Sequence, residues 1–239
     1  MLEVIGLEKT FKNGKHSVKP LNGAEMYIRG GEKVGVIGKS GEGKSTLARI
    51  IKGFIRPDGG NVICGDTPLF NEKGGYDKKR GIKIQLIPQH PLSALDPSQR
   101  VGNAVAETLL INRVCKTRRE AAQKTKELFK RVWLEDGLRD RLPSQLSGGQ
   151  AQRVAVARAL AVSPDILISD EATAMLDISS QAQIISLFND LVEKEGLSVL
   201  FISHDESLTK AFVNRCYRLA DGKLYENIGG FNEKEKQNT

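Results

Sequence analysis

The most constraining stretch of this chain is Gly38-Lys39-Ser40-Gly41-Glu42-Gly43-Lys44-Ser45-Thr46, which fits G-x-x-x-x-G-K-[ST]. Glycines let the backbone turn tightly enough for successive N–H groups to converge on one anion. Such a loop works only between a strand and a helix, and its flanks meet that condition. Lys33-Val34-Gly35-Val36-Ile37 is a short apolar strand running into the loop. From about Lys44, residues Leu47, Ile50, Ile51 and Phe54 recur at i, i+3, i+4 and i+7, which predicts one buried helical face. Arg56-Pro57-Asp58-Gly59-Gly60 stops that helix with turn residues. The expected chemistry is phosphate binding. Gly38, Ser40, Gly41, Gly43 and Thr46 belong to the cradle, Lys44 neutralises β and γ phosphates, and Ser45 places its hydroxyl on Mg²⁺. A bare glycine turn without ligand leaves Lys44-Ser45-Thr46 unexplained. Glu42 is the oddity: a triphosphate repels a carboxylate, so this side chain is expected to face solvent or a partner.

A second glycine loop, Leu146-Ser147-Gly148-Gly149-Gln150, opens a helix that runs to Ala161 and ends at Ser163-Pro164. It is followed by Ile166-Leu167-Ile168-Ser169-Asp170-Glu171, an apolar run ending in two carboxylates. This run and Val199-Leu200-Phe201-Ile202 read as parallel strands covered on both faces. Asp170 then stands at a strand's carboxyl end, where ligands of open α/β sheets gather, and suits a Mg²⁺ shell. Glu171 is placed to polarise an attacking water. Either carboxylate could instead only cap a helix. His204 follows the next strand in Ile202-Ser203-His204-Asp205. Alone it reads as an ordinary loop histidine; beside the other motifs it reads as a site residue.

The remaining pattern places these motifs in one unit. Leu2 to Phe11 reads as an edge strand, and Lys83 to Ile87 as a strand ended by Pro88. From Val101 to Arg141 the spacing turns helical, through Ala106, Leu109, Leu110 and Arg113 and then Leu128, Val132 and Trp133. A helical subdomain over about 91–162, inserted between sheet strands, is expected. The whole is one domain over 1–231, and the polar stretch 232–239 is expected to be disordered. With 239 residues and no internal repeat, one large domain with a subdomain is the natural division. Cys64, Cys115 and Cys216 have no close spacing and read as reduced thiols of a cytosolic protein. No apolar run approaches the roughly 18 residues of a membrane span, and no secretory leader is expected. The net charge of +7 includes clusters at Lys78-Lys79-Arg80 and Lys116-Thr117-Arg118-Arg119. Few aromatics accompany them, so solvated faces are expected, with anionic lipid headgroups as the alternative.

Together these residues resemble the ATP-binding subunits of ATP-binding-cassette (ABC) transporters over nearly the whole chain. The first loop resembles the family's Walker A motif, Leu146 to Gln150 is identical to its signature sequence, and Ile166 to Glu171 resembles Walker B with the catalytic glutamate. Gln89 resembles the Q-loop glutamine, His204 the switch histidine, and Asp177, in Ala174-Met175-Leu176-Asp177, the D-loop aspartate. Phe11 is placed like the aromatic residue that stacks on adenine. Ala172 and Met175 depart from the usual Pro and Ala of the family.

The resemblance implies an α/β fold. It has a P-loop NTPase core with a mostly parallel sheet, an N-terminal antiparallel β region and the inserted helical subdomain. It implies ATP and Mg²⁺ as cofactors. Glu171, His204 and Gln89 are implied in catalysis, and Ser45, Gln89 and Asp170 in the metal shell. Ser147, Gly148, Gly149 and Gln150 are implied to act on the nucleotide of a second cassette facing head to tail. Permease subunits and an extracytoplasmic substrate-binding protein are the implied partners, at the cytoplasmic face of the membrane, with no nucleic acid. The run Gln89-His90-Pro91-Leu92-Ser93-Ala94-Leu95-Asp96-Pro97 is similar to one in importers of oligopeptides, dipeptides and nickel. That similarity implies uptake of peptides or chelated transition metals and favours a heterodimer of cassettes over a homodimer. Ending soon after Asp221-Gly222-Lys223-Leu224, the chain resembles a shorter member. An exporter subunit and a soluble ABC ATPase acting on nucleic acid remain alternatives.

Overall fold

The computed structural model describes residues 1–14 and 16–226, so the tail expected over 232–239 and the domain end at 231 lie outside the described residues. The chain runs β1 (Leu2–Asn13), β2 (His16–Ile28), β3 (Lys33–Ile37), α1 (Lys44–Ile51), β4 (Gly59–Cys64), β5 (Thr67–Pro68), α2 (Lys78–Gly81) and β6 (Ile84–Ile87). Helices α3 (Val101–Ile111), α4 (Arg118–Arg131) and α5 (Gly148–Leu160) follow. Then come β7 (Ile166–Asp170), α6 (Ile178–Glu195), β8 (Ser198–Ser203), α7 (Glu206–Phe212), β9 (Arg215–Ala220) and β10 (Lys223–Glu226).

Two sheets form. A six-stranded sheet has the order β10-β9-β3-β8-β7-β6, parallel from β9 to β6 with β10 antiparallel at its edge. An antiparallel sheet has the order β2-β1-β4-β5. Strands β7 and β8 are buried along their full length. Their side chains alternate between two cores, as the two-residue period of a strand requires. Leu167, Val199 and Phe201 face a core shared with α5 and α6. Ile166, Ile168, Leu200 and Ile202 face a second core shared with α1 and the antiparallel sheet. The parallel α/β core and the antiparallel β region are thus those expected.

Leu2 to Phe11 is not an edge strand, because β1 pairs on one side with β2 and on the other with β4. The β4 partner is remote in sequence, and local pattern carries no information about it. Phe54 is not on the buried face of α1. The helix ends at Ile51, Gly53 takes a φ of +81°, and the Tyr76 ring lies 2.5 Å from where a Cβ at residue 53 would sit. The chain reverses there and leaves Phe54 67% exposed. Arg113 and Trp133 fall just past α3 and α4, both at positive φ, rather than inside a continuing helix.

Strands β6 and β7 are neighbours in the sheet, yet residues 88–165 separate them. That excursion holds α3, α4, α5 and three short 3₁₀ turns, with no named strand. Its apolar residues, among them Val105, Leu109, Phe129 and Val132, join the core on the α5–α6 face of the sheet. All three cysteines are free thiols, with Cys115 and Cys216 buried.

Phe201 is fully buried and meets Phe212 edge-on at 5.1 Å between ring centroids. Phe201→Ala is expected to cost about 3–5 kcal/mol through lost burial and the cavity left behind. Urea unfolding of the nucleotide-free protein checks this, with Phe201→Leu expected to lose clearly less.

Candidate functional site

The loop between β3 and α1 closes around Gly43, which has a φ of +109° and where a Cβ would lie 2.7 Å from the Pro20 carbonyl oxygen, so no side chain fits. Gly41 is also left-handed, at φ +83°. Helix α1 starts with no side-chain cap and no acidic residue in its first turn. Its N-terminal amides and positive dipole end therefore suit an anion. Ser40 is exposed on the loop, and Thr46 is half-buried in the first helical turn.

Lys44 is only 4% exposed. Its ammonium donates to the carbonyls of Gly38 and Lys39, each at 2.9 Å, and lies 3.4 Å from Glu171 Oε1. Ser45 Oγ donates to Asp170 Oδ1 at 3.0 Å. Burial pushes the Asp170 carboxyl above its usual range, partly offset by the Ser45 hydrogen bond. Glu171 collects the rest of the expected site. Gln89 Nε2 donates to Glu171 Oε2 at 3.3 Å, and His204 Nδ1 lies 3.5 Å from the same oxygen. Glu171 itself sits at φ +51°, with its N–H donating to the Ile202 carbonyl at 2.9 Å. A left-handed non-glycine residue costs about 1 kcal/mol or more, so surrounding contacts hold this carboxylate in place. The structure thus brings together Lys44, Ser45, Gln89, Asp170, Glu171 and His204. They lie at the carboxyl ends of β3, β6, β7 and β8, where such sheets bind ligands.

The second glycine loop lies apart from this cluster. Ser147 and Gln150 cap α5 reciprocally: Ser147 Oγ accepts the Gln150 N–H at 3.2 Å, and Gln150 Oε1 accepts the Ser147 N–H at 3.0 Å. A Cβ on Gly148 would lie 3.3 Å from Leu176, and one on Gly149 3.0 Å from Ser180 Oγ. The loop therefore packs on the entry to α6. Asp177 caps that helix by accepting the Ser180 N–H at 2.9 Å and its hydroxyl at 2.7 Å, and these bonds hold its carboxyl below the usual range. Phe11 pairs across from Val18, two residues before the Pro20 that abuts Gly43, and its ring is 43% exposed. It is not a core residue, and the Lys9 ammonium lies over its ring, 5.5 Å from the centroid. Glu42, expected to face solvent or a partner, is half-buried, and its carboxylate folds back to accept the Lys39 N–H.

Sequence reasoning missed Lys52. At the end of α1 its ammonium donates to the Ile84 and Gly81 carbonyls at 2.6 and 3.1 Å, and burial lowers its pKa to about 8. Lys52, Phe54, Lys78, Ile111 and Arg158 line a groove of about 820 Å³ between the sheet side and the helical excursion. The only local signal is a lysine directly after the buried Ile50-Ile51 pair that ends α1.

A strand–loop–helix phosphate cradle facing paired carboxylates defines a P-loop nucleotide-binding protein. The family model described as "ABC transporter" matches residues 21–174, and the chain belongs to that family. It is 37% identical over 231 residues to the oligopeptide transport ATP-binding protein OppF of Bacillus subtilis, covering 95% of this chain and 74% of that one. With the dipeptide transport ATP-binding protein DppF of Escherichia coli it is 35% identical, covering 95% and 69%. A Brucella abortus relative, named as a candidate peptide import ATP-binding protein, is 38% identical over 90% of this chain, which spans 64% of that relative's length. Among solved structures, the dimeric, post-hydrolysis ATP-binding cassette MJ0796 bound to ADP and Pi matches with a TM-score of 0.83 and 31% identity, covering 95% of this chain and 98% of that one.

Because its folded-state pKa is raised, Asp170 favours the protonated fold, and its contribution to stability falls as pH rises from the ordinary carboxylate value through the folded value. At neutral pH the ionised group therefore costs stability. Asp170→Asn, which keeps an acceptor for Ser45, is expected to raise the melting temperature of the nucleotide-free protein. The gain is about 2–4 °C for each kcal/mol relieved, and calorimetry at pH 7 checks it. A lower melting temperature would contradict it.

Proposed function

We propose that this chain is the ATP-binding and ATP-hydrolysing subunit of an ABC importer that takes up peptides. The observation that carries the reading is the convergence of Lys44, Gln89 and His204 on the Glu171 carboxylate, next in sequence to the Asp170 that holds Ser45. In this reading Lys44 meets the β and γ phosphates, and the loop amides with Gly38, Ser40, Gly41, Gly43 and Thr46 complete the cradle. Phe11 stacks on adenine. Glu171 accepts a proton from the attacking water, while Gln89 and His204 orient its carboxylate and the reacting phosphate. Ser45, Asp170 and Gln89 offer hard oxygen donors, the set that suits Mg²⁺. When bound there, the ion would offset phosphate charge.

Gly148 and Gly149 lie against Leu176 and Ser180, at the entry to α6. This supports a second cassette facing head to tail, whose nucleotide they would contact together with Asp177. A different chain is favoured as that partner, and a second copy is the alternative. The excursion over about 91–162 would act as a subdomain and, with the groove beside Lys52, would meet permease subunits at the cytoplasmic face of the membrane. An extracytoplasmic substrate-binding protein would deliver the cargo. Among the described residues no helix is long and apolar enough to cross a membrane. Of the two cargo classes expected, peptide is the one carried in the names of the relatives reported above, OppF and DppF.

Two variants test the assignment. Lys44→Ala is expected to lose most affinity for MgATP, measured by calorimetry, and normal binding would overturn the cradle. Glu171→Gln is expected to bind MgATP but to hydrolyse it at least about 100-fold more slowly. Light scattering should then show ATP-dependent pairing of cassettes, and a normal hydrolysis rate would remove Glu171 from its role.

A further inference from the structure

The phosphate loop holds a carboxylate that the nucleotide reading leaves without a task. Glu42 Oε2 accepts the Lys39 N–H at 2.7 Å, and the Glu42 N–H approaches the Lys39 carbonyl at 3.4 Å. The side chain is half-buried. A Cβ on Gly38 would lie 2.7 Å from the same carboxylate oxygen and 2.9 Å from the Leu219 carbonyl of β9. Glu42 therefore reaches back along the loop towards β9, into space that exists only because residue 38 is glycine. Lys39 is gripped twice. Its N–H goes to Glu42, and its carbonyl goes to the Lys44 ammonium, which also takes the Gly38 carbonyl.

We propose that Glu42 is a positioning residue for nucleotide binding: through the Lys39 amide, its carboxylate holds the turn that presents Lys44 and the first amides of α1 to phosphate. The competing effect is charge repulsion, which would make Glu42 a penalty on binding. The geometry favours the brace because the carboxylate is engaged with a backbone donor. A hydrogen bond to an ionised acceptor is roughly twice as strong as a neutral one, and a loop held in its binding shape loses less freedom when the ligand arrives. The proposal rests on the nucleotide reading of the site.

Calorimetric titration of the full chain with MgADP, which isolates binding from hydrolysis, tests it. The expected order of affinity is wild type, then Glu42→Gln, then Glu42→Ala. The glutamine keeps an acceptor and stays within about threefold, and the alanine binds about tenfold more weakly. Steady-state turnover of ATP should follow suit, with KM rising more than kcat falls, because Glu171, Gln89 and His204 are untouched. Should Glu42→Ala not fold, Glu42→Asp, whose carboxylate is one methylene too short, takes its place. Affinity unchanged in the alanine variant, tighter binding in either variant, or glutamine no better than alanine overturns the brace. A wild-type chain that binds no MgADP overturns the nucleotide reading itself, and the brace with it.

Discussion

One buried cation organises this molecule. The Lys44 ammonium is almost wholly removed from water, and a buried charge is costly unless it is paired and hydrogen-bonded. Two loop carbonyls and Glu171 meet that demand. The loop must therefore curl so that the Gly38 and Lys39 carbonyls point at the side chain six and five residues on. Glu171 must in turn stand within reach from the end of another strand. Because Glu171 also takes Gln89 and touches His204, one ion pair reaches the loops after β3, β6, β7 and β8.

The two glycine loops use the same physics differently. Each opens a helix, but the first leaves its helical amides without a side-chain cap, while the second spends Ser147 and Gln150 on capping its own helix. Asp177 does the same for α6. The first loop is thus built to receive an anion within its own chain. The second loop packs against the Asp177 turn, and both use their side-chain acceptors within their own helices. This division follows from where the hydrogen-bond acceptors are used.

The local part of this design is legible in the residues alone. Glycine spacing, the Lys44-Ser45 pair and the apolar runs before the loop and before Asp170 specify strand, turn and helix by steric and periodic rules that act over a few residues. Those same rules misplaced Phe54, because a helical period was extended through Gly53, where the nearby Tyr76 ring and a left-handed φ turn the chain back. Charge repulsion directs Glu42 to solvent or a partner, whereas the Lys39 amide three residues earlier draws its carboxylate back onto the loop. The carbonyl partners of Lys52, at Gly81 and Ile84, are about thirty residues away, beyond the reach of local pattern.

By itself, then, the sequence determined the chemistry available: a phosphate cradle, a metal-suited hydroxyl and carboxylate, a second carboxylate and a histidine, each at the end of an element. Only the tertiary structure decided which of them meet. The sheet order β3-β8-β7-β6 is not the order of the chain, so strands far apart in sequence become neighbours and their carboxyl ends share one edge. That order places Glu171 between Lys44, Gln89 and His204, and it sends Ser147 to the entry of α6 instead. Periodicity and turn chemistry are local properties, whereas strand adjacency is set by burying both faces of one sheet in two cores.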